Sequence, residues 1–180
     1  MFYNMVTNSM KRYSKKVTRR KNRKQKGGSN SMDGIKFTKT LPVYFHGKAI
    51  DGSLLKKEDT REQPRIDWIT NPSPNSFYTY ICFDPDATVP SWIHMMIVNC
   101  TEASLYSGEA TFEWSPPAPL KGTHRYIFGV FQHEFPIDTR GMKDRGYFNM
   151  NDFIVKHGLI PVAGASMKVS AKASAGNQIP

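Results

Sequence analysis

The sequence predicts a mainly β fold, an antiparallel β-sandwich with few short helices, and three observations carry that prediction. From Phe37 onward, β-branched and aromatic runs recur, cut by clusters of Pro, Gly, Asn and Asp of the kind that end strands. Two of these runs, 77–83 and 93–98, are apolar at successive positions, as central strands covered on both faces must be. No 3.6-residue apolar series recurs between them, so the strand–helix alternation of a parallel α/β sheet is missing.

The elements follow in chain order. Residues 1–33 read as a disordered basic arm: ten Lys and Arg lie between residues 11 and 26, and the first 32 residues hold no acid. Such a segment cannot bury enough apolar surface to offset the entropy of ordering it. Residues 34–171 make the one domain, and 172–180 a flexible polar tail. Strands are expected at 41–47, 64–69, 76–84, 92–100, 124–132 and 165–171, with Ile81, Phe83, Ile97, Val98, Ile127 and Phe131 in the core. One helix is expected around FIVKH, where Asn149 stands three residues before Asp152 as an N-cap and Gly158 supplies a left-handed stop.

Charge and composition exclude several functions. The chain of 180 residues carries a net charge of +10, yet beyond residue 32 fifteen basic residues face fifteen acids. The excess therefore belongs to the arm, whose readings are nuclear import, an anionic membrane surface or nucleic-acid phosphates at residues 11–26, or a merely solubilising tail. No apolar run reaches the length of a membrane span, and the apolar-then-basic order at the N-terminus reverses that of a secretory signal. Cys82 and Cys100 form no CxxC pair and read as reduced core residues at strand ends, which favours a cytoplasmic location, with the nucleus as the alternative.

The residues suited to chemistry gather at strand ends. Tyr80 to Thr88, YICFDPDAT, empties Asp84 and Asp86 into a Pro-stiffened turn, and His94, His124 and Tyr126 stand on other strands. An apolar run followed by Asp-x-Asp-x-Thr also matches the nucleophile motif of haloacid-dehalogenase-like phosphatases. That reading needs a parallel sheet and a later acidic pair, and no adjacent Asp/Glu pair follows residue 88. Zinc held by His94, His124 and one Asp is chemically possible, but no spacing demands it. Taken singly, each histidine reads as a satisfied core group; together with the carboxylates and the phenol they make a small anion pocket. His46, His133 and His157 lack such company and read as surface or core.

Four motifs in order carry a resemblance: DPDA at 84–87, Trp92-x-His94 with an apolar run ending in Asn99, PPAPLKGTHRY at 116–126, and PVAGAS at 161–166. Over about Leu41 to Met167 the chain resembles the phosphatidylethanolamine-binding protein family, which includes the Raf kinase inhibitor protein and florigen-like regulators. The resemblance implies a large sheet packed on a smaller one, with a pocket at one end for phosphate or a phospholipid head group. By motif, that pocket is lined by Asp84, Asp86, Trp92, His94, Pro116, Pro117, Ala118, His124 and Tyr126. It implies a non-enzymatic module that regulates a kinase or another signalling protein, with no cofactor and no metal.

Within that implied pocket, imidazoles and the Tyr126 hydroxyl would donate to phosphate oxygens. The nearby carboxylates are expected to favour protonated imidazoles. Arg125, next to His124, should point to the opposite face of its strand. The sequence also departs from the family pattern. Only TVPS, 88–91, separates DPDA from Trp92, a shorter loop than usual, so the rim should be more open. Pro116 and Ala118 stand where animal members have glycines, and a proline offers no N–H to an anion. The chain after Met167 shows no helical apolar pattern, so a C-terminal helix over the pocket is not expected.

Overall fold

The structure is a computed structural model and describes residues 31–67, 73–89, 91–101 and 104–171. The arm up to residue 30 and the tail 172–180 lie outside the described residues, as do Trp68 and Ile69 of the expected 64–69 strand.

Twelve strands, one α-helix and two single-turn 3-10 helices, Glu58–Thr60 and Leu105–Ser107, appear among the described residues. In chain order the strands are β1 Ser31–Met32, β2 Ile35–Lys36, β3 Lys39–Thr40, β4 Val43–Phe45, β5 Lys48–Ala49 and β6 Leu54–Leu55. They continue with β7 Arg65–Ile66, β8 Phe77–Asp84, β9 Trp92–Cys100, β10 Glu109–Phe112 and β11 Thr123–His133. Helix α1, Met150–His157, precedes β12, Ile160–Ser170. Residues 31–33, assigned to the arm by composition, belong instead to a hairpin in which Met32 pairs with Ile35 across Asp33 and Gly34. Both turn residues have positive φ, 51° and 80°, the geometry for which Asp-Gly is favoured in two-residue hairpins.

The large sheet runs β10-β9-β8-β11-β12-β3, with β6 also on β12, and the small one runs β5-β4-β7. The long strands pair antiparallel. The expectation of an antiparallel sandwich is corrected only at the edge, where β3 and β6 each join β12 in parallel. Both are two-residue strands distant in sequence from β12, so no direct crossover connection joins the parallel partners.

Strand alternation sends side chains to two cores. Tyr80, Cys82, Tyr126 and Phe128 pack with Val43 and Phe45 between the sheets. On the opposite face, Ile81, Phe83, Ile127 and Phe131 meet Phe37, Met150 and Phe153 of the helical layer. Central strands that are buried on both faces explain the continuous apolar runs in the sequence. Gly129 and Gly164 sit directly opposite each other on β11 and β12. The Phe37 ring lies over both, where a β-carbon on Gly164 would collide with it.

The helix has the expected caps. The Asn149 side chain accepts from the Asp152 amide at 3.1 Å, and Gly158 closes the helix at φ 61°. Asn99, at the end of β9, exchanges two side-chain hydrogen bonds with the backbone of Ile137 and so ties the returning loop to the sheet. Both cysteines are buried and free, Cys82 in mid-strand rather than at a strand end. Burial pushes the Cys82 thiol well above its usual range and that of Cys100 up to about 12, so neither is available as a thiolate nucleophile.

Candidate functional site

Strand β8 ends at Asp84, opposite Trp92 at the start of β9. That end of the sheet opens into a depression of about 390 Å³ lined by Asp84, Trp92, His94, Pro116, Ala118, His124 and Tyr126, together with Ala87, Thr88, Val89, Ser115, Pro119 and Leu120. Two larger surface depressions, of about 510 and 470 Å³, gather neither a buried acid nor a buried imidazole. The smaller one is distinguished by its chemistry.

Asp84 is 3% exposed, and its carboxylate is engaged both by its own turn and by side chains of β11. One oxygen accepts from the Asp86 amide at 2.8 Å, closing the turn, and the other accepts from His124 Nδ1 at 2.7 Å. A proton held on Nδ1 leaves His124 Nε2 for the cavity. His94, 5% exposed, is held in the same way: its Nδ1 donates to the Ser115 carbonyl at 2.6 Å, and the Tyr126 ring meets it edge-on at 5.0 Å. Burial pushes the Tyr126 phenol above its usual range, and the Asp84 charge adds to the effect, so the hydroxyl remains a donor.

Three expectations require correction. Asp86 does not line the cavity: its carboxylate is engaged by the Arg125 backbone amide and Nε, each at 2.9 Å, and by Nη2 at 2.6 Å. A bidentate guanidinium on the far face of the strand outcompetes a place in the pocket. Pro117 is buried beneath the Pro-rich loop, while its neighbours Pro116 and Ala118 reach the cavity. His94 is not biased toward protonation, because burial pushes its pKa below the ordinary histidine value; the Ser115 carbonyl and the Asp84 charge only partly oppose this.

The remaining histidines play structural parts. His133 is buried, bridging the Thr79 hydroxyl at 2.9 Å and the Phe135 carbonyl at 2.8 Å. His157 packs on Phe153, and His46 is exposed in the β4–β5 turn. Among the described residues, no group of three or more His, Cys, Asp and Glu could hold a metal ion. Thr88, Val89 and Leu120 are lining residues that motif reading missed, although the shortened 88–91 loop already pointed to that rim.

Behind the pocket, Arg145 fastens the loop after β11 to β9. Its guanidinium donates to the carbonyls of Ile93, His94 and Glu113 at 3.1, 3.2 and 2.9 Å. The Ile93 amide returns a bond to the Arg145 carbonyl at 2.8 Å, so the backbone carrying His94 is held from two sides.

A β-sandwich with an acid–imidazole–phenol pocket at one sheet end defines a class of ligand-binding domain. The family model described as phosphatidylethanolamine-binding protein matches residues 34–165, and the chain belongs to that family. It is 31% identical over 137 residues to Protein BROTHER of FT and TFL 1 of Arabidopsis thaliana, covering 69% of this chain and 76% of that protein. It is also 30% identical over 112 residues, 58% of this chain, to a candidate odorant-binding protein, A5, of Drosophila melanogaster, and it spans only 50% of that protein's length.

Solved structures share the fold. A carboxypeptidase Y inhibitor, crystallised with its cognate proteinase, superposes with a TM-score of 0.66 at 18% identity, covering 92% of this chain and 96% of that one. The phosphatidylethanolamine-binding protein of Plasmodium vivax gives 0.61 at 17% identity, over 76% of this chain and 88% of that one.

Proposed function

We propose that this chain is a non-enzymatic binding module that captures phosphate-type anions or phospholipid head groups in the Asp84, His94, His124 and Tyr126 pocket, and through it regulates a signalling partner. The observation that supports this reading best is the pairing of two histidines whose Nδ1 atoms are committed to protein acceptors, to Ser115 and to Asp84, within one concave site. Each then offers Nε2 to a ligand, while the Tyr126 hydroxyl is engaged with Asp84 and braces that carboxylate.

The chemistry follows from protonation. A neutral imidazole with its proton on Nδ1 presents an acceptor at Nε2, so His94 donates to a phosphate oxygen only after taking up a second proton. A bound oxyanion favours that proton, and capture is therefore coupled to proton uptake. Alternatively, a phosphate that keeps one proton donates it to Nε2. Asp84 fixes the orientation of His124 and supplies a counter-charge for a ligand ammonium group, which suits a zwitterion such as phosphoethanolamine.

The test is calorimetric titration with phosphoethanolamine. A small ligand in an open pocket should bind with a dissociation constant of roughly 0.1 to 10 mM. His124→Ala should weaken it at least several-fold while leaving the protein folded; equal binding by the variant would remove the pocket from the account.

A further inference from the structure

One wall of the pocket is a proline lip. Residues 115–119 read SPPAP, and Pro116, Pro117 and Pro119 have no N–H, so the lip has few donors with which to fasten itself. Its carbonyls must be met by donors from elsewhere. At its entry the lip is held by His94: the Ser115 amide donates to the His94 carbonyl at 2.8 Å, and the Ser115 carbonyl accepts from Nδ1 at 2.6 Å. Past the lip, Leu120 is 90% exposed, and the next fastening is the Gly122 carbonyl, which accepts from the Ala171 amide at 2.8 Å. Between these points, among the described residues, the Pro119 carbonyl accepts from Lys57 Nζ at 2.9 Å.

The Lys57 backbone is itself fixed. It stands at the start of the 3-10 turn Glu58–Thr60, and its carbonyl accepts from both the amide and the hydroxyl of Thr60, at 3.1 and 3.0 Å. Thr60 is fully buried, and its carbonyl in turn accepts from the Trp114 indole at 3.3 Å, one residue before the lip begins. Lys57 is half-buried, and no carboxylate among the described residues comes within ion-pair distance of its ammonium. Its charge is therefore left to the carbonyl, and a charged donor makes a stronger hydrogen bond than a neutral one. Pro116, Ala118, Pro119 and Leu120 line the cavity, whereas Lys57 does not.

From this arrangement we infer that Lys57 is a positioning residue of the pocket: it staples the proline lip at Pro119 and so holds that wall in place without touching the ligand. This rests on the pocket reading above. With the staple made, the span from Ser115 to Gly122 is fixed at both ends and in its middle, and the lining residues keep their places around the cavity. Without it the span is tied only at its ends. A ligand must then order the lip before gaining its contacts, and that entropic cost is read as lost affinity.

The experiment is calorimetric titration of the full chain and its variants with phosphoethanolamine, together with backbone-amide NMR spectra of each protein without ligand. Lys57→Met keeps the stem and removes the donor, and it should weaken binding about three- to tenfold, the equivalent of one hydrogen bond to a charged group partly screened by water. Lys57→Arg returns a cationic donor to the Pro119 carbonyl and should recover most of the affinity. Lys56→Met removes the same charge from the exposed neighbour and should bind like the parent. In the spectra, Lys57→Met should move the Leu120 amide resonance, because a donor on the Pro119 carbonyl polarises the peptide N–H that follows it, and Lys56→Met should leave that resonance in place. If Lys57→Met binds as tightly as the parent, if Lys56→Met weakens binding as much, or if the Leu120 amide does not move, the staple is refuted and the pocket reading stands. If the parent itself does not bind phosphoethanolamine, the pocket reading falls and takes this inference with it.

Discussion

His94→Gln separates the two forces acting on the pocket. Gln can keep a donor for the Ser115 carbonyl but loses the ring that meets Tyr126 at 5.0 Å. At pH 7.5 the loss of that packing and a poorer hydrogen bond should cost about 1 to 2 kcal/mol. For a domain of this size that is a fall in Tm of about 2 to 8 °C. Acid changes the comparison. Burial lowers the His94 pKa in the folded state, so below the unfolded value of about 6.5 the unfolded chain binds the extra proton and acid favours unfolding. The stability that a neutral His94 contributes is complete above that value and is lost as pH falls beneath it, at no more than about 1.4 kcal/mol per pH unit. Gln cannot titrate, so between pH 6.5 and 5 the gap between wild type and variant should narrow by at most about 2 kcal/mol. His133 and His157, whose pKa values are also lowered chiefly by burial, are present in both proteins and cancel. The assay is thermal melting of both proteins at half-unit steps from pH 5 to 8. A gap that is constant, or that widens in acid, would show that His94 is not held neutral by burial and refute the reasoning.

Other outcomes follow from the same packing. Gly164→Ala should destabilise by about 1 to 3 kcal/mol, because the added methyl meets the Phe37 ring over the β11–β12 pair; chemical denaturation should show a lower midpoint with an unchanged slope. Asn149→Ala should cost about 1 kcal/mol by leaving the Asp152 amide uncapped, and Asn149→Asp should restore most of it. Deleting residues 1–26 should leave the melting temperature nearly unchanged while bringing the chain's charge to neutral, since all ten surplus cations go with it; a lost cooperative transition would show that the arm packs.

The central strands were legible because burial on both faces leaves an unbroken apolar run, and Ile81, Phe83, Ile97, Val98, Ile127 and Phe131 are all buried. The helix was legible because its caps are local chemistry. Two short strands, β4 and β7, fall inside the expected runs 41–47 and 64–69; β1, β2, β3, β5 and β6 were not legible, since two residues show no alternation, and only the turns Asp33-Gly34 and His46-Gly47, both at positive φ, carried a signal. In the pocket, ordered motifs pointed to Asp84, His94, His124 and Tyr126. They could not distinguish Asp84 from Asp86, because past the strand end side-chain direction no longer follows alternation, and Arg125 lies in a partner strand. The protonation of His94 escaped for a related reason. Composition reveals which carboxylates are near in sequence, whereas the balance between desolvation and charge depends on depth.

The measurement that tests the central claim most directly is histidine NMR of the domain titrated with phosphoethanolamine at pH 6 and pH 8. The account predicts that the His94 and His124 ring resonances shift together with ligand and that binding is tighter at pH 6, since the hydrogen bond between Nε2 and the phosphate needs one more proton, on His94 or on the phosphate. His133, buried against Thr79 in the opposite part of the sheet, should not respond. Ligand-independent His94 and His124 resonances at both pH values, or equal affinity at the two, would contradict the proton-coupled capture on which the account rests.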